Sequence, residues 1–86
     1  MQSFKKAFEL FTVAVEQGDA SAMVNLGILY KDGKGVVQSF KKAFELFTMA
    51  AEQGDASAMS ALGITYMIGQ GVDQSNELAR EWWTKA

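Results

Sequence analysis

The chain has 86 residues, a formal charge of −2 from 8 basic and 10 acidic side chains, and neither Cys nor His. Its length makes it one small domain, burying little over ~60% of the surface its unfolded form exposes. The missing residue types exclude thiol and imidazole chemistry, disulfides and ordinary zinc sites, and the even charge argues against a nucleic-acid partner, which needs a clustered basic face.

No charged-then-apolar leader precedes a small-residue cleavage site, and no apolar run approaches ~18 residues, so neither targeting nor membrane insertion is expected. The dominant feature is an internal repeat. Residues 2–37 and 38–73 form two copies of a 36-residue unit that differ at only nine positions, and a third copy starts at Gln74-Ser75 and runs to Ala86. Copies this alike point either to recent duplication or to deliberate construction. A fixed period of this length is the signature of a stacked repeat architecture.

The first predicted element is a helix over 3–17. Ser3 is a good N-cap, and Gly18 tolerates the left-handed conformation that ends a helix. Phe4, Ala7, Phe8, Leu10, Phe11, Ala14 and Val15 share an arc of roughly 160°, with Lys5, Glu9, Thr12 and Glu16 opposite. So wide a stripe predicts cover by neighbours on two sides. The second element, 20–32, is capped by Asp19 and ends at Gly33-Lys34-Gly35. Ala22, Leu26, Leu29 and Tyr30 fall on one side, and the mid-helix Gly27, which costs ~1 kcal/mol relative to Ala, marks a place where a neighbour needs the space. The same signals repeat to predict helices over 39–53 and 56–68, and a shorter one over 75–85. No segment alternates as a strand does. Leu26, Tyr30, Leu62 and Tyr66 are the expected core, with Gly27 and Gly63 at close helix contacts.

Ala22, Leu26, Gly27, Tyr30, Gly33, Gly35 and Val36, then Lys42, Ala43, Ala50, Ala51, Glu52, Gln53 and Gly54, spell A-x-x-x-L-G-x-x-Y-x-x-G-x-G-V followed by K-A and A-A-E-Q-G. Ala58, Leu62, Gly63, Tyr66, Gly69, Gly71, Val72, Ala79 and Trp82 continue it. The chain therefore resembles the Sel-one-like repeat family, a relative of the tetratricopeptide repeats. Ser39 and Ser75 replace the family's acidic cap, and Leu10 and Leu46 stand where it has an aromatic residue. The resemblance implies an all-α, right-handed solenoid of antiparallel helix pairs: five helices, about 2.5 repeats. In that frame one domain spans 1–86, with a lone second-type helix at 3–17 and pairs at 20–53 and 56–86. It also implies that the L-G-x-x-Y helices line a concave, partner-holding face.

Residues that could carry chemistry read more simply as structure. Ser3 to Lys6 and Ser39 to Lys42 fit S-x-x-K but lack its companion motifs, and read as N-caps. Gly33-Lys34-Gly35 lacks phosphate-loop spacing, and Lys34 becomes Gln70 in the sister copy. Asp32 and Asp73 lack the alternating oxygens of a calcium loop. Asp19 and Asp55 are caps, and Trp82 and Trp83 read as core and end-sealing bulk. No nucleophile–base pair can be assembled, so no catalysis, metal or cofactor is expected.

Five of the nine copy differences fall on the L-G-x-x-Y helix: Val24/Ser60, Asn25/Ala61, Leu29/Thr65, Lys31/Met67 and Asp32/Ile68. By the resemblance, the groove side holds Ser21, Val24, Asn25, Ile28 and Lys31, and then Ser57, Ser60, Ala61, Ile64, Met67 and Ile68. The last three lie opposite the Leu62/Tyr66 side, so this helix is apolar nearly all round and needs cover there. The expectation is an interaction scaffold for a protein or peptide, with no nucleic-acid or membrane partner. The alternative is a self-assembling module, a homo-oligomer formed through the groove or by end-to-end stacking.

Overall fold

The computed structural model describes residues 3–86 and contains α1 (Phe4–Glu16), α2 (Ala20–Asp32), α3 (Phe40–Glu52), α4 (Ala56–Ile68) and α5 (Asn76–Lys85), with no strand among the described residues. The expected spans hold to within one residue, the outermost positions proving to be caps. Ser3, Ser39 and Ser75 accept the backbone N–H three residues on at 3.1–3.2 Å, and Asp19 and Asp55 do the same at 3.0 and 2.9 Å. Each satisfies an otherwise orphaned first-turn donor.

The links between α1 and α2 and between α3 and α4 are as short as they can be. Gly54, at φ +90°, donates to Ala51, and Asp55 donates its N–H to the Ala50 carbonyl at 3.2 Å. This is the paired-bond ending of a helix with a left-handed glycine. Asp55 thus closes α3 with its backbone and opens α4 with its side chain; Asp19 does the same between α1 and α2. The loops after α2 and α4 are longer, and the Tyr30 and Tyr66 carbonyls accept the N–H of Ser39 and Ser75 at 2.8 Å, anchoring the next cap.

The helices stack in chain order into a solenoid 39 × 23 × 20 Å, packed most closely within the pairs α2–α3 and α4–α5. Met23, Ala43, Phe47, Ala50, Ala51, Ala58 and Leu62 form one buried cluster across α2, α3 and α4. Its alanines let the backbones approach, and Gly27 and Gly63 extend that logic. A Cβ on Gly27 would lie 2.7 Å from Phe47 Cε1, and one on Gly63 would overlap the Trp83 indole.

Three expectations change. Tyr30 and Tyr66 are half-buried rather than enclosed: their rings stand edge-on to Phe8 and Phe44, with centroids 5.7 Å apart, an arrangement that leaves the phenol end near water. Two-sided cover holds for α3 but not for α1, which shares the residues SFKKAFELFT and buries none of its own. Of the tryptophans, Trp82 is half-buried against the core, whereas Trp83 rests one edge on Gly63 and stays 40% exposed.

Leu62 is 0% exposed at the centre of the cluster. Leu62→Ala should lower the unfolding free energy by about 2–5 kcal/mol, the range for enclosed leucines. Urea unfolding followed by circular dichroism measures this; an unshifted curve would remove Leu62 from the core.

Candidate binding groove

Holding α2 and α4 on one side of α3 leaves a trough between them. Its volume is about 620 Å³; Val24, Ile28, Lys31 and Asp32 of α2 form one wall, and Ser57, Ser60, Ala61, Ile64, Thr65 and Ile68 of α4 the other. Phe40 and Phe47 of α3 form the floor, and Gln38 and Gln70 from the loops close the rim. The size is that of a site for a small ligand or a few side chains of a peptide. Ile64 and Ile68 are 48% and 54% exposed, so the most apolar wall faces solvent.

Each lining element has a local cause. Val24, Ile28 and Lys31 recur at helical spacing along α2, as do Ser57, Ala61, Ile64 and Ile68 along α4. Phe40 begins α3, where Gly71 abuts its backbone: a Cβ on Gly71 would lie 2.9 Å from the Phe40 carbonyl, and the residue has φ +79°. Gly71 therefore ties the loop after α4 to the first turn of α3, as Gly35 ties its own loop to Phe4. Gln38 donates its side-chain amide to the Lys31 carbonyl at 2.7 Å and fixes the rim. Thr65 is buried, and its hydroxyl donates to the Ala61 carbonyl at 2.8 Å. The only ion pair among the described residues, Lys31–Asp32 at 3.9 Å, is exposed on the rim and leaves the groove without a dominant charge.

Of the positions expected on the groove side, Val24, Ile28, Lys31, Ser57, Ser60, Ala61, Ile64 and Ile68 line the trough. Ser21, Asn25 and Met67 are exposed but do not line it; each stands next in sequence to a residue of the packed or lining face, about 100° away on the helix. The sequence reading missed Asp32, Gln38, Phe40, Phe47, Thr65 and Gln70. Phe40 and Phe47 could have been found, since a spacing of seven puts them on one stripe of the helix between the two walls. The glutamines reach the rim through loop geometry, for which the residues give no periodic signal.

The residues singled out for chemistry have structural roles. The Ser3 and Ser39 hydroxyls of the S-x-x-K pattern serve as caps, and Lys42 places its Nζ over the Tyr30 ring, 5.4 Å from the centroid. Among the described residues no cluster of three metal-ligating side chains occurs, and no helix is long and apolar enough to cross a membrane.

The family profile described as Sel1 repeat matches residues 1–19, 20–55 and 56–86. Among solved structures, the chain is similar to c5321, a protective antigen present in uropathogenic Escherichia coli strains and displaying an SLR fold, at TM-score 0.94 and 34% identity; the match covers 98% of this chain and 18% of that one. It is also similar to a Sel1 repeat protein from Oxalobacter formigenes, at TM-score 0.88 and 37% identity, over 91% of this chain and 60% of that one. The chain thus spans less than two thirds of either relative. No curated protein matches the sequence.

Gly71 and Gly54 separate two costs that usually come together. Both have positive φ, but a Cβ on Gly54 meets nothing within 4 Å, whereas one on Gly71 meets backbone. Gly54→Ala should cost about 1–2 kcal/mol for left-handed backbone alone, and Gly71→Ala roughly 2–4 kcal/mol because overlap is added. Urea unfolding of the two variants checks the order; equal losses would mean that the loop contact contributes nothing.

Proposed function

The chain belongs to the Sel1 repeat family, and on that premise we propose that it is a protein-interaction scaffold whose trough between α2 and α4 holds a segment of a partner protein. Sel1 repeat proteins are generally non-catalytic scaffolds that mediate protein interactions, and we read this chain likewise as no enzyme. One observation carries the reading: Ile28, Ile64 and Ile68 line a concave surface open to solvent, although the stack has buried apolar positions elsewhere. Exposed apolar side chains grouped in a concavity mark an interaction site, where scattered ones do not.

The chemistry of the walls defines the occupant. Apolar side chains interleaved with Ser57, Ser60 and Thr65 over a phenylalanine floor, with the Lys31–Asp32 pair and two amides at the rim, suit a peptide that presents apolar anchors and little charge. In this reading the working unit is the pair 20–53 with the first helix of the pair 56–86, and the lone helix 3–17 stands outside it. A second reading, self-association through the same wall, is favoured by Met67, which is 44% exposed beside Ile64 and Ile68.

The test starts from peptides selected out of a random library on the immobilised chain. Replacing Ile64 and Ile68 together by Glu should weaken the selected peptide at least about tenfold, or about 1.4 kcal/mol, because a carboxylate would be buried against it. The helical circular dichroism should not change, since both side chains are exposed. Val13→Glu, outside the trough, should leave binding intact. Binding indifferent to the paired glutamates would reject the groove. A concentration-dependent mass in sedimentation that the same pair abolishes would decide for self-association.

A further inference from the structure

Building on the scaffold reading, we infer that the trough has one anchor site, at Ala61 and Thr65, which takes a single large apolar side chain of aromatic size from the partner segment. The two copies of the repeat differ at nine positions, and five of these fall on the α4 side of the trough. Ser60, Ala61, Thr65, Ile68 and Gln70 line it where the first copy has Val24, Asn25, Leu29, Asp32 and Lys34. Only Ser57 and Ile64 on that side match their counterparts, Ser21 and Ile28. The differences are concentrated where an occupant would touch, and they have a direction.

Three of the five reduce size. Val to Ser, Asn to Ala and Leu to Thr each remove bulk, and positions 60, 61 and 65 adjoin on the helix surface. Thr65 and Leu29 are both 6% exposed, yet Thr65 lines the trough and Leu29 does not. The smaller side chain leaves its space to the trough. The Thr65 hydroxyl donates to the Ala61 carbonyl at 2.8 Å, so an apolar group seated on it strands no polar atom. Val24 and Ile28 stand across the trough with Phe47 beneath, and the hollow is apolar on those sides as well.

The other two exchanges remove charge. Ile68 replaces Asp32, and Gln70 replaces Lys34, whose ammonium lies over the Phe4 ring, 5.2 Å from its centroid. Gln70 therefore brings no charge to Phe40, the counterpart of Phe4. On the opposite wall Lys31 and Asp32 pair with each other at 3.9 Å, so an ionic anchor would meet no lining charge that lacks a partner, and burying it would be costly. A large uncharged side chain fills the space without that cost, and aromatic residues bring the most apolar area to such a contact. The chain's own exposed aromatic rings are engaged, Phe4 under Lys34 and Trp83 on Gly63, so the anchor comes from a different protein.

The probes are N-acetyl-tryptophanamide and N-acetyl-alaninamide, titrated in the millimolar range into the isotope-labelled full chain and followed by amide chemical shifts. The indole compound should give saturable shifts at Ile28, Ala61, Ile64 and Thr65, and the alanine compound should bind at least about tenfold more weakly. Thr65→Leu and, separately, Ala61→Asn each restore the first copy's residue, and each should weaken the indole compound by the same factor. Ala61 is half-buried, so its variant decides the matter if Thr65→Leu loses its helical circular dichroism. Absent shifts, shifts confined to residues outside the trough, or undiminished binding by the folded variants would each overturn the anchor site. Selected peptides that lose binding with Glu at 64 and 68, yet share no large apolar residue, would overturn it and leave the scaffold reading standing. Selected peptides indifferent to those glutamates would reject both.

Discussion

The glycine backbone of one helix against an aromatic ring of the next sets the geometry on which the rest depends. Gly27 meets Phe47 and Gly63 meets Trp83, in each case between the two helices of a pair. A mid-helix glycine costs about 1 kcal/mol in propensity, and the contact returns close helix approach and, at Phe47, an enclosed ring. With α2 and α3 drawn together, the alanines at 43, 50, 51 and 58 can pack with almost no exposure. The same closeness keeps α2 and α4 on one side of α3, which is why a trough exists and why Phe47 forms part of its floor.

In such a stack, burial is assigned by neighbours as much as by side chains. Phe11 and Phe47 belong to the same ten-residue sequence, yet Phe47 is enclosed and Phe11 is not. The energetic units are correspondingly the intrinsic helix and its interface with the next. The N-caps and the left-handed glycines fix each helix locally, whereas the interfaces decide which faces remain available to a partner. The groove wall, made by a pair of helices, is one such face.

The fold was legible in the residues because its punctuation is explicit. Ser and Asp caps locate every helix start, and the glycines after α1 to α4 their ends, to within a residue, and the near-identical copies make the solenoid unavoidable. Gly27 and Gly63 announced close contacts, although not which ring would fill them. The groove side was drawn from the resemblance, and Val24, Ile28, Lys31, Ser57, Ser60, Ala61, Ile64 and Ile68 of it line the trough. A helical wheel gives a direction but not an enclosure, so it placed Tyr30 and Tyr66 in the core where the stack leaves them half-covered; Ser21, Asn25 and Met67 were placed on the groove side by the resemblance, and none of them lines the trough. The floor and rim depend on tertiary placement: Phe40 through the Gly71 contact, Gln38 through its bond to the Lys31 carbonyl. No periodicity encodes the rim, whereas the spacing of seven between Phe40 and Phe47 does put the floor on one helix stripe.

The central claim is that neighbouring helices, and not the residues themselves, determine which faces of this chain are closed. Native-state hydrogen exchange tests it within one molecule, because α1 and α3 carry the same ten residues and hence nearly the same intrinsic exchange rates. Local protection follows packing, so the amides of Phe44 to Thr48 should exchange more slowly than those of Phe8 to Thr12. Equal protection in the two helices would contradict the account, since it would mean that α1 is closed in solution as fully as α3.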